Sequence, residues 1–209
     1  MSPNIDLENG IGLDMRLITK RFPGVLAADQ VNFSVRKGEV HGLLGENGAG
    51  KTTLMSILCG LYMPDDGEIF LGTERNAVEK VNIGSPREAI QLGIGMVHQH
   101  FRLVQSHTVA ENCILGLSDK SIIINHTEIA NRIAAIGERY PMHIEPDSYV
   151  WQLSIGEQQR VEILKMLYRN ADVLILDEPT AVLTPQESQA LGITLRAMAK
   201  EGKAVVFIS

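Results

Sequence analysis

One segment limits what this chain can fold into. It is Gly45-Glu46-Asn47-Gly48-Ala49-Gly50-Lys51-Thr52, preceded by the short apolar run from Val40 to Leu44. It fits the pattern G-x-x-x-x-G-K-[ST]. Glycines let the backbone turn so that several N–H groups point inward at phosphate oxygens. A helix beginning after Gly50 aims its positive end at the same place. Lys51 can then reach the β- and γ-phosphates, and the Thr52 hydroxyl can ligate Mg²⁺. A glycine-rich turn serving structure alone would need neither Lys-Thr at this offset nor a buried strand before it. Gly45 through Thr53 are therefore the expected binding positions for a nucleoside triphosphate, read as ATP with Mg²⁺.

A second apolar run, Val173 to Leu176, ends in Asp177-Glu178. Strand ends of this kind line the ligand crevice in open α/β sheets. Two solvated acids opening a loop would be unremarkable alone. Beside a phosphate loop, Asp177 is the expected metal-side carboxylate and Glu178 the general base.

The rest of the chain alternates strand and helix signals. Val31, Phe33 and Val35 alternate with polar residues, and Glu68 to Leu71 follows a Pro64-Asp65-Asp66-Gly67 turn. Ala204 to Ile208 is a third apolar strand. Helix starts carry capping patterns at Ser85-Pro86-Arg87-Glu88, Thr108 with Glu111, Ser154 with Glu157, and Thr184-Pro185 with Glu187. Ile129, Ile133 and Ile136 keep helical spacing. The alternation predicts an α/β fold, a mostly parallel sheet covered on both faces. The helical run from about 100 to 168 predicts a subdomain inserted into it. Residues 1–14 read as a loose leader, 15–98 with 169–209 as the sheet core, and 99–168 as the helical subdomain.

Composition narrows the function classes. The formal charge of -6 argues against a nucleic-acid partner. Cys59 and Cys113 match no metal-ligand spacing and read as reduced, buried thiols of a cytosolic protein. No apolar run is long enough to span a bilayer and nothing resembles a signal peptide, so any membrane-spanning part would belong to another chain.

Leu153-Ser154-Ile155-Gly156-Glu157-Gln158-Gln159-Arg160 resembles the signature motif of ABC-type ATPases, Asp177-Glu178-Pro179-Thr180 their Walker B continuation, and Val97-His98-Gln99 their Q-loop. All follow the phosphate loop in the family's order. Lys20-Arg21-Phe22-Pro23-Gly24-Val25 resembles the opening of the ATPases of bacterial importers for simple sugars and nucleosides, and Met96 to Phe101 and Val161 to Leu167 resemble especially their nucleoside, basic-membrane-protein-linked branch. The resemblance implies a RecA-like P-loop core with an N-terminal antiparallel β part. It implies that Phe22 stacks on adenine, and that Gln99 contacts Mg²⁺ and the attacking water at the hinge to the helical subdomain. It also implies that Ser154, Ile155, Gly156 and Glu157 face the γ-phosphate held by a second ABC ATPase domain, in tandem or as a dimer. The further partners would be transmembrane permease subunits and, indirectly, an extracytoplasmic substrate-binding protein. The location would be cytoplasmic, peripheral on the inner face of the cell membrane.

Three departures matter. Ile155 and Glu157 replace the glycine and glutamine of the common signature, which predicts looser engagement of the partner's ATP. Thr184 stands where an aspartate is usual. The family's switch histidine would follow Ser209, so a truncated, weakly hydrolysing fragment is expected. The competing class is a soluble ABC-type ATPase acting on DNA or ribosomes. No heptad run, cysteine cluster or basic linker favours it. A P-loop kinase or GTPase fails on the signature segment and on the absence of a guanine-recognition motif.

Overall fold

In the computed structural model of the chain, residues 10–46, 48–72, 77–117 and 125–209 are described. They form two four-stranded sheets with helices between and around them.

The first sheet is antiparallel. It is built from β1 (Ile11–Phe22), β2 (Val25–Arg36), β4 (Asp66–Gly72) and β5 (Val78–Val81), in the order β2-β1-β4-β5. β1 begins at Ile11, inside the stretch expected to be a loose leader. Ile11 and Leu13 are buried. The acidic look of the N-terminal segment hid an apolar strand start that pays for its ordering by packing.

The second sheet is parallel, in the order β3-β8-β7-β6, from β3 (Val40–Leu43), β6 (Ile94–Val97), β7 (Val173–Asp177) and β8 (Ala204–Ile208). Ile208 of β8 pairs with Leu43 on one side and Asp177 on the other, and Leu176 pairs with Val97. The carboxyl ends of all four strands are therefore level. β3 corrects one expectation: it is parallel, but it lies at a sheet edge, with Val40 40% exposed, and is not buried. An unbroken apolar run does not distinguish a central strand from an edge strand, because only the pairing order decides that.

Period-2 alternation sorts the parallel strands' side chains onto two faces. Val173, Ile175, Ala204 and Val206 meet α1 (Lys51–Leu58) and the antiparallel sheet through Leu54, Ile57, Met15 and Phe33. Leu174, Leu176 and Val205 face the opposite way, toward α5 (Ile155–Tyr168) and α6 (Pro185–Lys200) through Ile163, Leu191, Leu195 and Met198. Full burial of each such Leu or Ile stabilises the fold by about 1.5–3 kcal/mol.

Between β6 and β7 the described residues contain no named strand. They carry α3 (Val109–Ile114), α4 (His126–Arg139) and a 3₁₀ turn at Val150–Gln152, with α5 after them. Val109, Cys113, Ile129, Ile133, Val161 and Leu164 form a separate apolar cluster there. The capping boxes predicted for α3, α5 and α6 close reciprocally. At α2 (Pro86–Gln91) Ser85 caps as expected, but Glu88 reaches back to the Gly84 amide at 2.8 Å. Cys113 is buried and Cys59 half-buried, and burial pushes both thiols up to about 12.

Candidate nucleotide site

The sheet topology brings the phosphate loop and the two acids to one edge. β3 delivers the loop, β7 delivers Asp177 and Glu178, and β6 delivers Gln99 two residues beyond Val97. The loop turns through Gly48 and Gly50 at φ of 84° and 88°. Gly50 caps α1, and its Cα opposes β2 so closely that a Cβ would lie 2.3 Å from the Ala27 carbonyl oxygen. No other residue type fits there. Asn47 lies outside the described residues. Gly45, Glu46, Gly48 and Ala49 are exposed.

Lys51 curls over the loop. Its Nζ donates to the Gly45 carbonyl and, at 3.3 Å, to the Glu46 carbonyl. These are weak partners for an ammonium that phosphate oxygens would hold better. Thr52 is exposed at the first turn of α1 and Thr53 is half-buried beside it.

Asp177 is half-buried at the end of β7. Burial first, and then the Glu178 charge, raise its pKa, while Lys51 pulls it down. The lysine and the carboxylate thus share one field. This donor set suits a hard divalent cation: a hydroxyl, a carboxylate crowded by a second carboxylate, and phosphate oxygens to complete the shell. Among the described residues no group of three or more His, Cys, Asp or Glu could hold a metal alone.

Glu178 follows with φ 44°, a left-handed backbone rare outside glycine. Its N–H donates to the Ile208 carbonyl at 3.1 Å. Gln99 is exposed at the same sheet edge.

Phe22 ends β1 and pairs with Val25, two residues before the Ala27 that touches Gly50. The hairpin tip therefore stands beside the phosphate loop. Tyr62 meets the Phe22 ring edge-on, with centroids 5.2 Å apart, and Lys20 Nζ lies 5.6 Å from the ring centre. Tyr62 was missed from sequence, because nothing local links it to a residue 40 positions earlier.

Ser154 to Glu157 sit elsewhere, at the start of α5, which packs on α3 and α4. Ser154 Oγ accepts from the Glu157 amide, and Glu157 accepts from the Ser154 amide at 2.8 Å. The Ser154 side chain first, and then the bond from the Ser154 N–H to the carboxylate, lower the Glu157 pKa. Ile155 is 52% exposed. Gly156 is buried, and a Cβ on it would lie 2.2 Å from Glu187 Oε1.

A family model described as ABC transporter matches residues 28–181. The guanosine import ATP-binding protein NupO of Bacillus subtilis (strain 168) is 51% identical over 195 residues, covering 93% of this chain and 37% of that protein. The nucleoside import ATP-binding protein NupA of Lactococcus lactis subsp. cremoris (strain MG1363) is 49% identical over 204 residues, covering 97% and 39%. The chain thus spans less than half the length of these relatives. Among solved structures, the ADP conformation of MJ1267, an ATP-binding cassette of an ABC transporter, superposes with a TM-score of 0.82 at 24% identity, covering 96% of this chain and 82% of that one. The dimeric structure of MJ0796, a bacterial ABC transporter cassette, gives 0.76 at 25% identity, covering 94% and 87%.

Proposed function

Because the chain belongs to the ABC transporter family, we propose that it is the ATP-binding and ATP-hydrolysing motor of an importer for nucleosides or simple sugars. The observation that carries this reading is the 51% and 49% identity to two nucleoside-class import ATP-binding proteins across nearly the whole chain. The geometry is compatible with it.

In this reading the loop amides and Lys51 hold the phosphates, and the Phe22 ring takes the adenine face. Thr52 and Asp177, with Gln99 beside them, would hold Mg²⁺, which when bound neutralises phosphate charge. Glu178 accepts the proton of the attacking water at its carboxylate. Gln99 orients that water. Ser154, Ile155, Gly156 and Glu157 contact the γ-phosphate of ATP bound on a second ABC ATPase domain. Closure of the pair is passed to transmembrane permease subunits through the helical part around Gln99 to Leu115, and an extracytoplasmic binding protein supplies substrate. Among the described residues no helix is long and apolar enough to cross a membrane. In this reading the permease partners supply the membrane-spanning part. The division into a sheet core at 15–98 and 169–209 and a helical subdomain at 99–168 belongs to this same reading.

The test is expression of the full-length polypeptide with its permease and binding protein. Nucleoside- or sugar-stimulated ATP hydrolysis is the expected result. Glu178→Gln should trap ATP and arrest turnover, and hydrolysis surviving that change would remove Glu178 from the base role. ATPase activity indifferent to any permease but stimulated by DNA or ribosomes would support the competing soluble class.

A further inference from the structure

We propose that Gln159 is a positioning residue for Glu178, holding the backbone of the general base through one hydrogen bond. The inference rests on the reading of Glu178 as the base.

Gln159 lies on the face of α5 that carries Ile163 and Met166 into the apolar cluster beneath β7. It is only 2% exposed. A polar side chain in such a place is costly unless paired. Its Nε2 donates to the Pro179 carbonyl at 2.7 Å. Pro179 is the residue after Glu178, and it is buried.

The backbone around Glu178 is unusual. A glutamate at φ 44° is held in a conformation that side chains other than glycine's rarely adopt, and it persists only where its surroundings over-determine it. Three bonds do so. The Glu178 N–H is taken by the Ile208 carbonyl, its own carbonyl accepts from the Ala181 N–H at 3.2 Å, and the next carbonyl along accepts from Gln159. The first two are backbone bonds that any sequence could make. The third depends on a side chain, and that side chain comes from the helix that opens at Ser154. Gln159 thus joins the helix whose start is read as the partner-phosphate contact to the turn that aims Glu178. Releasing the Pro179 carbonyl leaves a buried acceptor unpaired and frees the turn, so the Glu178 carboxylate loses its aim while the phosphate loop is untouched.

The test uses the full-length polypeptide with its permease. Gln159→Met keeps the side-chain length and removes the donor. It should lower kcat about tenfold and leave the KM for ATP within about twofold, as expected when geometry rather than ground-state binding is lost. Gln159→His places an Nε2–H the same number of bonds from Cα, and should keep kcat within about threefold of the parent. In the Glu178→Gln background, where turnover is arrested, Gln159→Met should leave the Kd for ATP within about twofold, because the phosphate loop is untouched. The proposal is overturned by parental kcat in Gln159→Met, by equal losses in the Met and His variants, or by a larger loss of ATP affinity than about twofold when Gln159→Met is added to Glu178→Gln. Should Gln159→Met not fold, Gln159→His decides: retained kcat supports the role, and a tenfold fall at unchanged Tm sinks it. Turnover surviving in Glu178→Gln alone would instead strike the base assignment.

Discussion

At the scale of single residues, Lys51 and Glu157 make the sharpest statements. The Lys51 ammonium already has the loop at its centre, donating to two backbone carbonyls that phosphate oxygens would outbid. Lys51→Ala should raise the Kd for ATP by a factor on the order of 100, which corresponds to about 2.7 kcal/mol, read by titration with a fluorescent nucleotide. Glu157 is a subtler case. Its carboxylate closes the capping box of α5 and so keeps its negative charge close to the amides of Ser154 and Glu157. Glutamine closes the same box without the charge. Glu157→Gln should therefore keep the helix start closed, lower Tm slightly through loss of the charge-assisted bonds, and raise the ATPase activity of the assembled transporter. An unaltered rate in that variant would show that the charge does not weaken the half-site.

At the scale of elements, α3, α5 and α6 begin with the same device, a Thr or Ser cap answered by Glu111, Glu157 or Glu187. All three carboxylates have lowered pKa values. Bonds from the cap residue are the cause in each: the backbone N–H of Thr108 and Thr184 first for Glu111 and Glu187, and the Ser154 side chain first for Glu157. The sign follows from that direction. The stability they contribute is present above the unfolded value of 4.5 and is lost as pH falls through the lowered folded values. Helical ellipticity should therefore hold to pH 4.5 and decline below it. Replacing Glu111 and Glu187 by Gln should flatten that decline. Ser154→Ala removes the cap itself and should cost about 1 kcal/mol in urea unfolding.

At the scale of the whole molecule, the candidate site sits where separate elements converge: β3 with α1 for the loop, β7 for the acids, and the β1–β2 hairpin for Phe22. A ligand touching all of them should stabilise the fold as a unit. MgATP at 100 times its Kd should add about 2.7 kcal/mol, visible as a rise in Tm that EDTA diminishes. Asp177→Asn should cancel the Mg²⁺-dependent part of that rise. It should also raise the Tm of the ligand-free chain, because burial and Glu178 oppose the Asp177 charge there. Much of this was legible in the amino acids. The glycine-lysine-threonine spacing, the capping pairs and the two apolar runs ending in a phosphate loop and in Asp177-Glu178 are local patterns, and local patterns report backbone geometry and chemistry directly. What they could not report was pairing across distance. That β3 is an edge strand, that β1 starts at Ile11, that Tyr62 braces Phe22 and that Gln159 ties α5 to Pro179 all depend on which segments meet after the chain has collapsed. Local pattern was enough to name the groups that could bind a triphosphate. The left-handed turn at Glu178 follows from the folded chain instead, because that conformation is set by neighbours 30 residues on in β8 and 19 residues back in α5.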